Sequence, residues 1–220
     1  MKGVINVIAY HGSNAIFDKF DSEYFNTGTG NEQYGTGFYF TSSEEQAKSY
    51  GNTIYKVNLE LKNPYILDST QRTDDIKLSY EEVLELIKQH PNAWITSDEP
   101  YDEYYFNPVM DYVDSYWEWC RDDIDNPDVN RNLLDCIVKT AEMIYDNENP
   151  TLMSMASFYD MTHIKEQRFL EIFSKITGHD GLIINNEKDG SSIYVAWNSD
   201  QIEIEKIKLP TKQKQTIERD

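Results

Sequence analysis

The chain has 220 residues, 39% hydrophobic and 13% aromatic with sixteen tyrosines, enough for a sizeable core and incompatible with a disordered polymer. Its 39 acidic residues against 20 basic ones leave a formal net charge of −19, which weighs against a passive DNA- or RNA-binding role, although a nucleic acid as transient substrate stays open. No apolar run approaches the roughly 20 residues of a membrane span, so no membrane association is expected and a cytosolic setting, bacterial or host, is.

In chain order, MKGVINVIAYHGS is too short and too mixed for a signal peptide, and Val4–Tyr10 reads as a first strand ending at His11-Gly12-Ser13. Gly37–Thr41 is a short aromatic strand behind a glycine-rich turn. Ser43–Tyr50 has helical spacing with Ser43 as N-cap, and Ile54–Leu61 alternates as a half-buried strand until Asn63-Pro64 stops it. Ser79-Tyr80-Glu81-Glu82 matches a capping box, followed by Val83, Leu84, Leu86 and Ile87 as an apolar face up to His90-Pro91. Val109–Trp119, Val129–Tyr145 and Ile164–Ile176 are further helical runs. Leu182–Ile184, Ile193–Trp197 and Ile202–Ile207 return to strand, and Pro210–Asp220 is a polar tail. Cys120 and Cys136 fall in helical runs with no metal or disulfide spacing, so they read as buried thiols of a reducing interior.

Between Asp98 and Asp128 lie eleven acids, one base (Arg121) and, from Tyr101 to Trp119, eight aromatics. A solvated acidic face is the plainer reading. The sharper one is a docking surface for a basic protein. No calcium-loop pattern or other metal-ligand cluster is visible, so no metal is expected.

The chemistry concentrates in the first zone. Gly12 offers an unobstructed backbone carbonyl and N–H, the pair that a primary amide needs, and His11-Gly12-Ser13 leaves a buried strand where polar groups emerge at a sheet edge. Gly35-Thr36-Gly37-Phe38-Tyr39-Phe40-Thr41 brings in an aromatic strand, and Tyr50 follows Tyr39 after ten intervening residues. Taken singly, His11 is a turn histidine and the tyrosines are core aromatics. As an ordered set with His179-Asp180-Gly181-Leu182-Ile183-Ile184 and Tyr194-Val195-Ala196-Trp197-Asn198-Ser199-Asp200-Gln201-Ile202, they are specific.

That set resembles the ADP-ribosyltransferases, in the branch joining diphtheria-type toxins and poly(ADP-ribose) polymerases, and is closer still to small transferase domains of phage and mobile-element proteins. The matching stretches are 7–68 and 178–204. The resemblance implies an α+β fold: a pair of small, mostly antiparallel sheets around an NAD cleft, in one domain with a core of 1–68 and 178–209 and a mainly helical insertion, 69–177. It implies NAD as co-substrate, without metal. His11 would hydrogen-bond the adenosine ribose, the Gly12 backbone would hold the nicotinamide amide, and Tyr39 and Tyr50 would sandwich the ring. Ser13, Gly37 and Phe40 would complete the cofactor site.

The family's glutamate-bearing members place a catalytic Glu immediately before the tyrosine of the last motif. Here that position is Ile193, which can neither stabilise a cationic ribose nor hydrogen-bond its 2′-hydroxyl. The implied activity is therefore transfer of a single ADP-ribose to a macromolecule, with the net charge favouring a protein. Transfer to water, and an inactive acidic inhibitor or docking protein on the same scaffold, are the alternatives. Glu187 and Glu203 are the acids that would have to substitute for the missing one. Glu166 and Glu171 read as helix-surface acids. A toxin, a phage effector and a defence factor are equally compatible.

Overall fold

The computed structural model describes residues 4–25, 33–89, 137–138, 141–142, 144–146, 150–161, 166–186, 188 and 190–210. The acidic aromatic stretch 98–128, both cysteines, Glu187 and the tail beyond residue 210 lie outside these. The chain forms two compact units. One joins Met1–Thr70 to Asp180–Asp220, and the other is Gln71–His179.

The first unit is built on β1 (Ile5–Ser13), β2 (Phe38–Thr41), a one-turn helix α1 (Glu44–Ala47), β3 (Thr53–Leu61), β4 (Tyr65–Asp68), β5 (Gly181–Asn185), β6 (Ser192–Ala196) and β7 (Ile202–Lys208). Among the described residues the strands form one seven-stranded sheet in the order β4-β5-β6-β2-β1-β3-β7. This differs from the expected pair of small sheets, and β4 pairs with β5 in parallel. The expectation missed how the two halves join. β1 pairs with β3 through nine consecutive residues and β2 with β6 through all four, whereas β1 and β2 share the single pair Tyr10–Thr41.

β3 shows why these sequences become strands. Tyr55, Val57, Leu59 and Leu61 face inward and are fully buried, while Lys56, Asn58 and Glu60 face out. Around this inner row pack Ala9, Phe20, Phe38, Phe40, Ile183, Tyr194 and Ala196, the apolar core of the unit. Burial at about 25 cal/mol per Å² makes such a cluster the dominant stabilising term. Ser43 caps α1 by accepting from the Gln46 N–H at 3.2 Å.

Asp180 and Gln201 knot the ends of the strands together. The Asp180 carboxylate accepts from the Lys62 N–H at 2.7 Å and the Asn63 N–H at 2.9 Å, satisfying the backbone where β3 ends. Gln201 Nε2 donates to the Asp180 carbonyl at 2.9 Å, and its Oε1 accepts from the N–H groups of Trp197 and Asn198 at 3.0 and 2.8 Å. Two of the motifs that carried the resemblance, around Asp180 and Gln201, are thus structural.

In the second unit, α2 (Tyr80–Gln89) and α3 (Leu152–Met161) both pack against α4 (Glu166–Thr177). The capping box is present: Ser79 N–H donates to the Glu82 carboxylate at 2.8 Å, and Glu82 N–H to Ser79 Oγ at 3.3 Å. Val83, Leu86 and Ile87 of α2, Met155 of α3, and Phe169 and Phe173 of α4 are buried. Helical residues Ala141 and Ile144 add to the buried set. Glu171 bonds Arg168 at 3.0 Å on the surface of α4. No described helix is long and apolar enough to cross a membrane.

Asp180→Ala removes both acceptors from the end of β3. It should destabilise the protein by about 1–3 kcal/mol in chemical denaturation, and Asp180→Asn, which keeps one acceptor oxygen, by less.

Candidate functional site

Past Tyr10–Thr41 the two strands part, and the gap between the ends of β1 and β2 is the candidate site. His11 bridges it. Its Nδ1 donates to the Tyr39 carbonyl at 2.8 Å, replacing the backbone bond that a continuing ladder would make. A carbonyl can only accept, so Nδ1 carries the proton. In the neutral ring Nε2 is then a free lone pair. Burial lowers the His11 pKa, and the bond to Tyr39 opposes this in smaller measure.

His11-Gly12-Ser13 does not follow the strand but completes it, paired with Tyr55, Ile54 and Thr53 of β3. His11 therefore alternates inward with Ala9. Its ring meets Phe20 edge-on at 5.2 Å between centroids and lies 5.8 Å from Phe40 and 6.1 Å from Tyr55. These rings hold the imidazole. Phe17 stacks on Tyr55 at 4.2 Å, and its N–H donates to the Tyr55 hydroxyl at 2.8 Å. Sequence reasoning missed Phe17, Phe20 and Tyr55. The closely spaced Phe17 and Phe20, so soon after His11, were the available signal. Phe40, expected at the cofactor, is 3% exposed inside this cluster and supports His11 from the core.

Gly12 also differs from expectation. It is buried, and a Cβ built on it would stand 1.8 Å from the Ala47 carbonyl oxygen. Gly51 is its counterpart: a Cβ there would stand 2.2 Å from the Ser13 carbonyl carbon. The two glycines let the backbone at the end of α1 lie directly on the end of β1, because only hydrogen separates the chains. This seats Tyr50, 46% exposed, beside His11-Gly12-Ser13. Ser13 Oγ accepts from the Ala15 N–H at 3.0 Å and shapes the turn that leaves β1.

Tyr39 is held at both ends of its residue. Its carbonyl accepts from His11, while its hydroxyl donates to the Gly35 carbonyl and accepts from the Tyr34 N–H at 3.2 Å. Gly37, at φ +153°, lets this turn press on β6, where a Cβ would stand 2.5 Å from Val195 Cγ1. Its contribution is to the turn's packing.

The register of β2 against β6 places Ile193. Phe40 pairs with Tyr194 in the core, so Tyr39 with Val195, and Thr41 with Ile193, share the opposite face. Ile193 is half-buried there, on the same face as Tyr39. Glu203 is not near: it lies on edge strand β7, paired with Asn58, which pairs with Ile8. The structure thus brings His11, Gly12, Ser13, Tyr39 and Tyr50 to the ends of β1 and β2, with Ile193 on the face that Tyr39 shares and the His11 ring turned to the core beside Phe40. Among the described residues no cluster of His, Cys, Asp or Glu could hold a metal.

A family described as the ADP-ribosyltransferases in polyvalent proteins matches residues 3–206. The chain belongs to this family. The match spans the middle of the chain as well as the two stretches that resembled ADP-ribosyltransferases at the outset. A comparison with curated protein sequences finds no match. Among solved structures, one titled "Crystal structure of an anti-CRISPR protein" is similar at 11% identity over 89% of this chain and 92% of that one, with a TM-score of 0.29. So loose a superposition carries no argument. Membership in the ADP-ribosyltransferase family brings NAD as co-substrate and a general ADP-ribosyl transfer function to the chain.

Gly12→Ala should push α1 off β1 and destabilise the protein by about 1–3 kcal/mol, read as a lowered denaturation midpoint. Because the His11 pKa is lowered in the folded state, the unfolded chain binds its proton better. Stability should therefore fall as pH drops through the ordinary value of 6.5, and the contribution is fully retained above it. His11→Gln should flatten that part of a stability–pH curve measured between pH 7 and pH 5.

Proposed function

We propose that this ADP-ribosyltransferase transfers a single ADP-ribose from NAD to a macromolecular acceptor, with the gap between β1 and β2 as the nicotinamide site. The observation that carries this reading is the gap itself: two strands, each firmly held by its other neighbour, separate after one pair, and His11, Gly12, Tyr39 and Tyr50 gather where they do. Strand edges left without a ladder partner supply the backbone groups that a carboxamide needs. Tyr39 and Tyr50 supply faces for the ring, each aromatic contact contributing about 0.5–1.5 kcal/mol beyond burial, and more for a cationic ring. His11 Nε2, with its lone pair free, is suited to accept from a ribose hydroxyl.

Cleavage of the nicotinamide–ribose bond leaves the electron pair on nicotinamide and an oxocarbenium-like sugar, which the acceptor's nucleophile then attacks. This chain's contribution is to hold the dinucleotide in place and aim the sugar at its acceptor. Ile193 supplies no carboxylate, which favours one transfer per acceptor site over chain growth. The net charge of −19 favours a protein acceptor over a nucleic acid. Ile193 also favours a second reading, in which NAD is bound and the bond is broken towards water or not at all.

Incubation of the purified protein with labelled NAD, with and without cell lysate, separates these. Transferase activity puts label on a macromolecule, and Tyr39→Ala or His11→Ala should lower it at least tenfold while circular dichroism shows both variants folded. Label that survives both changes removes the site assignment. Nicotinamide without label makes the protein a glycohydrolase, and neither product makes it a binder only.

A further inference from the structure

Thr41 and Gln46 form a pair that the expected site does not use. Thr41 is 5% exposed and stands opposite Ile193 across the β2–β6 ladder. Its hydroxyl accepts from the Ser43 N–H at 3.2 Å and donates to Gln46 Oε1 at 2.5 Å. The Gln46 carbonyl oxygen is thereby occupied, and its Nε2 has no partner among the described residues. Gln46 is itself only half-buried. It lies on α1, whose end rests on Gly12 and leads directly to Tyr50. One buried hydroxyl thus fixes which end of a half-exposed amide is free.

The spacing of β2 says what that free end would meet. Tyr39 and Thr41 lie on one face, two residues or about 7 Å apart along the strand. A nicotinamide ring against Tyr39 whose ribose runs along β2 away from the Gly35–Gly37 turn has that sugar about one ring further on, level with Thr41 and Ile193. Ile193 offers that sugar no polar atom. We infer that Gln46 is a ribose-binding residue, its Nε2, oriented by Thr41, donating to a hydroxyl oxygen of the nicotinamide ribose beside Ile193. This rests on the nicotinamide site proposed above. An amide donor can position the sugar but, being neutral, cannot offset its developing positive charge as a carboxylate would.

The test is binding of two probes, NAD and free nicotinamide, to the full chain by thermal shift and calorimetry. Gln46→Leu should weaken NAD roughly three- to tenfold, the worth of about one hydrogen bond, and leave nicotinamide unchanged. Thr41→Val keeps the shape of the buried residue but releases the Gln46 amide. It should weaken NAD in the same direction, and Thr41→Ser, which keeps the hydroxyl, should restore it. Tyr39→Ala should weaken both probes. NAD affinity unaltered in Gln46→Leu, or weakened in step with nicotinamide, overturns the role of Gln46 while leaving the nicotinamide site standing. A wild-type protein that binds neither probe overturns both.

Discussion

Everything at the candidate site depends on one hydrogen bond, from His11 Nδ1 to the Tyr39 carbonyl. It is the point where a side chain takes over from the backbone in joining β1 to β2. A ladder continued through these residues would fill the gap with its own N–H and C=O groups, leaving none for a ligand. With the imidazole spanning the gap the strands remain connected, and their edges are released. The bond also decides the tautomer, so the same contact that holds the sheet determines what His11 presents on its other nitrogen. Phe20, Phe40 and Tyr55 surround the ring, and burial among them disfavours its charged form.

A second constraint is steric. Two glycines, 39 residues apart, allow backbone to rest on backbone, and Tyr50 is seated by that contact, its side chain making no hydrogen bond among the described residues. The site is thus made from three kinds of support: a ladder that stops, a ring cage, and a close approach that tolerates no Cβ. None of the three involves a charge.

Much of this was legible in the sequence because short-range chemistry fixes it. The alternation in Tyr55, Val57, Leu59 and Leu61 marked β3, the Ser79–Glu82 box marked the start of α2, and the spacing of His11, Tyr39 and Tyr50 gathered residues that the fold does place together. What escaped was set by tertiary contact. β4 is four residues long and is a strand only because β5 lies beside it. α3, Leu152–Met161, mixes apolar and small polar residues without a clear face. Gly12 looked open because a sequence shows the missing side chain but not the helix lying against it. Phe40 looked like a cofactor contact because alternation alone does not say which face of β2 is the core. His11, for the same reason, was placed at the end of a strand that in fact runs through it to Ser13.

The parallel pairing of β4 with β5 has a consequence for how this chain can change. Antiparallel neighbours can be joined by a tight hairpin, but parallel ones need a connection of about a dozen residues or more to carry the chain back to the starting end. Residues 71–179 are that connection. The sheet sets only a lower limit on its length, and the entropic cost of lengthening it grows slowly, by about 0.6 kcal/mol per doubling. A compact module can therefore be exchanged, enlarged or trimmed at this junction without altering a single strand register.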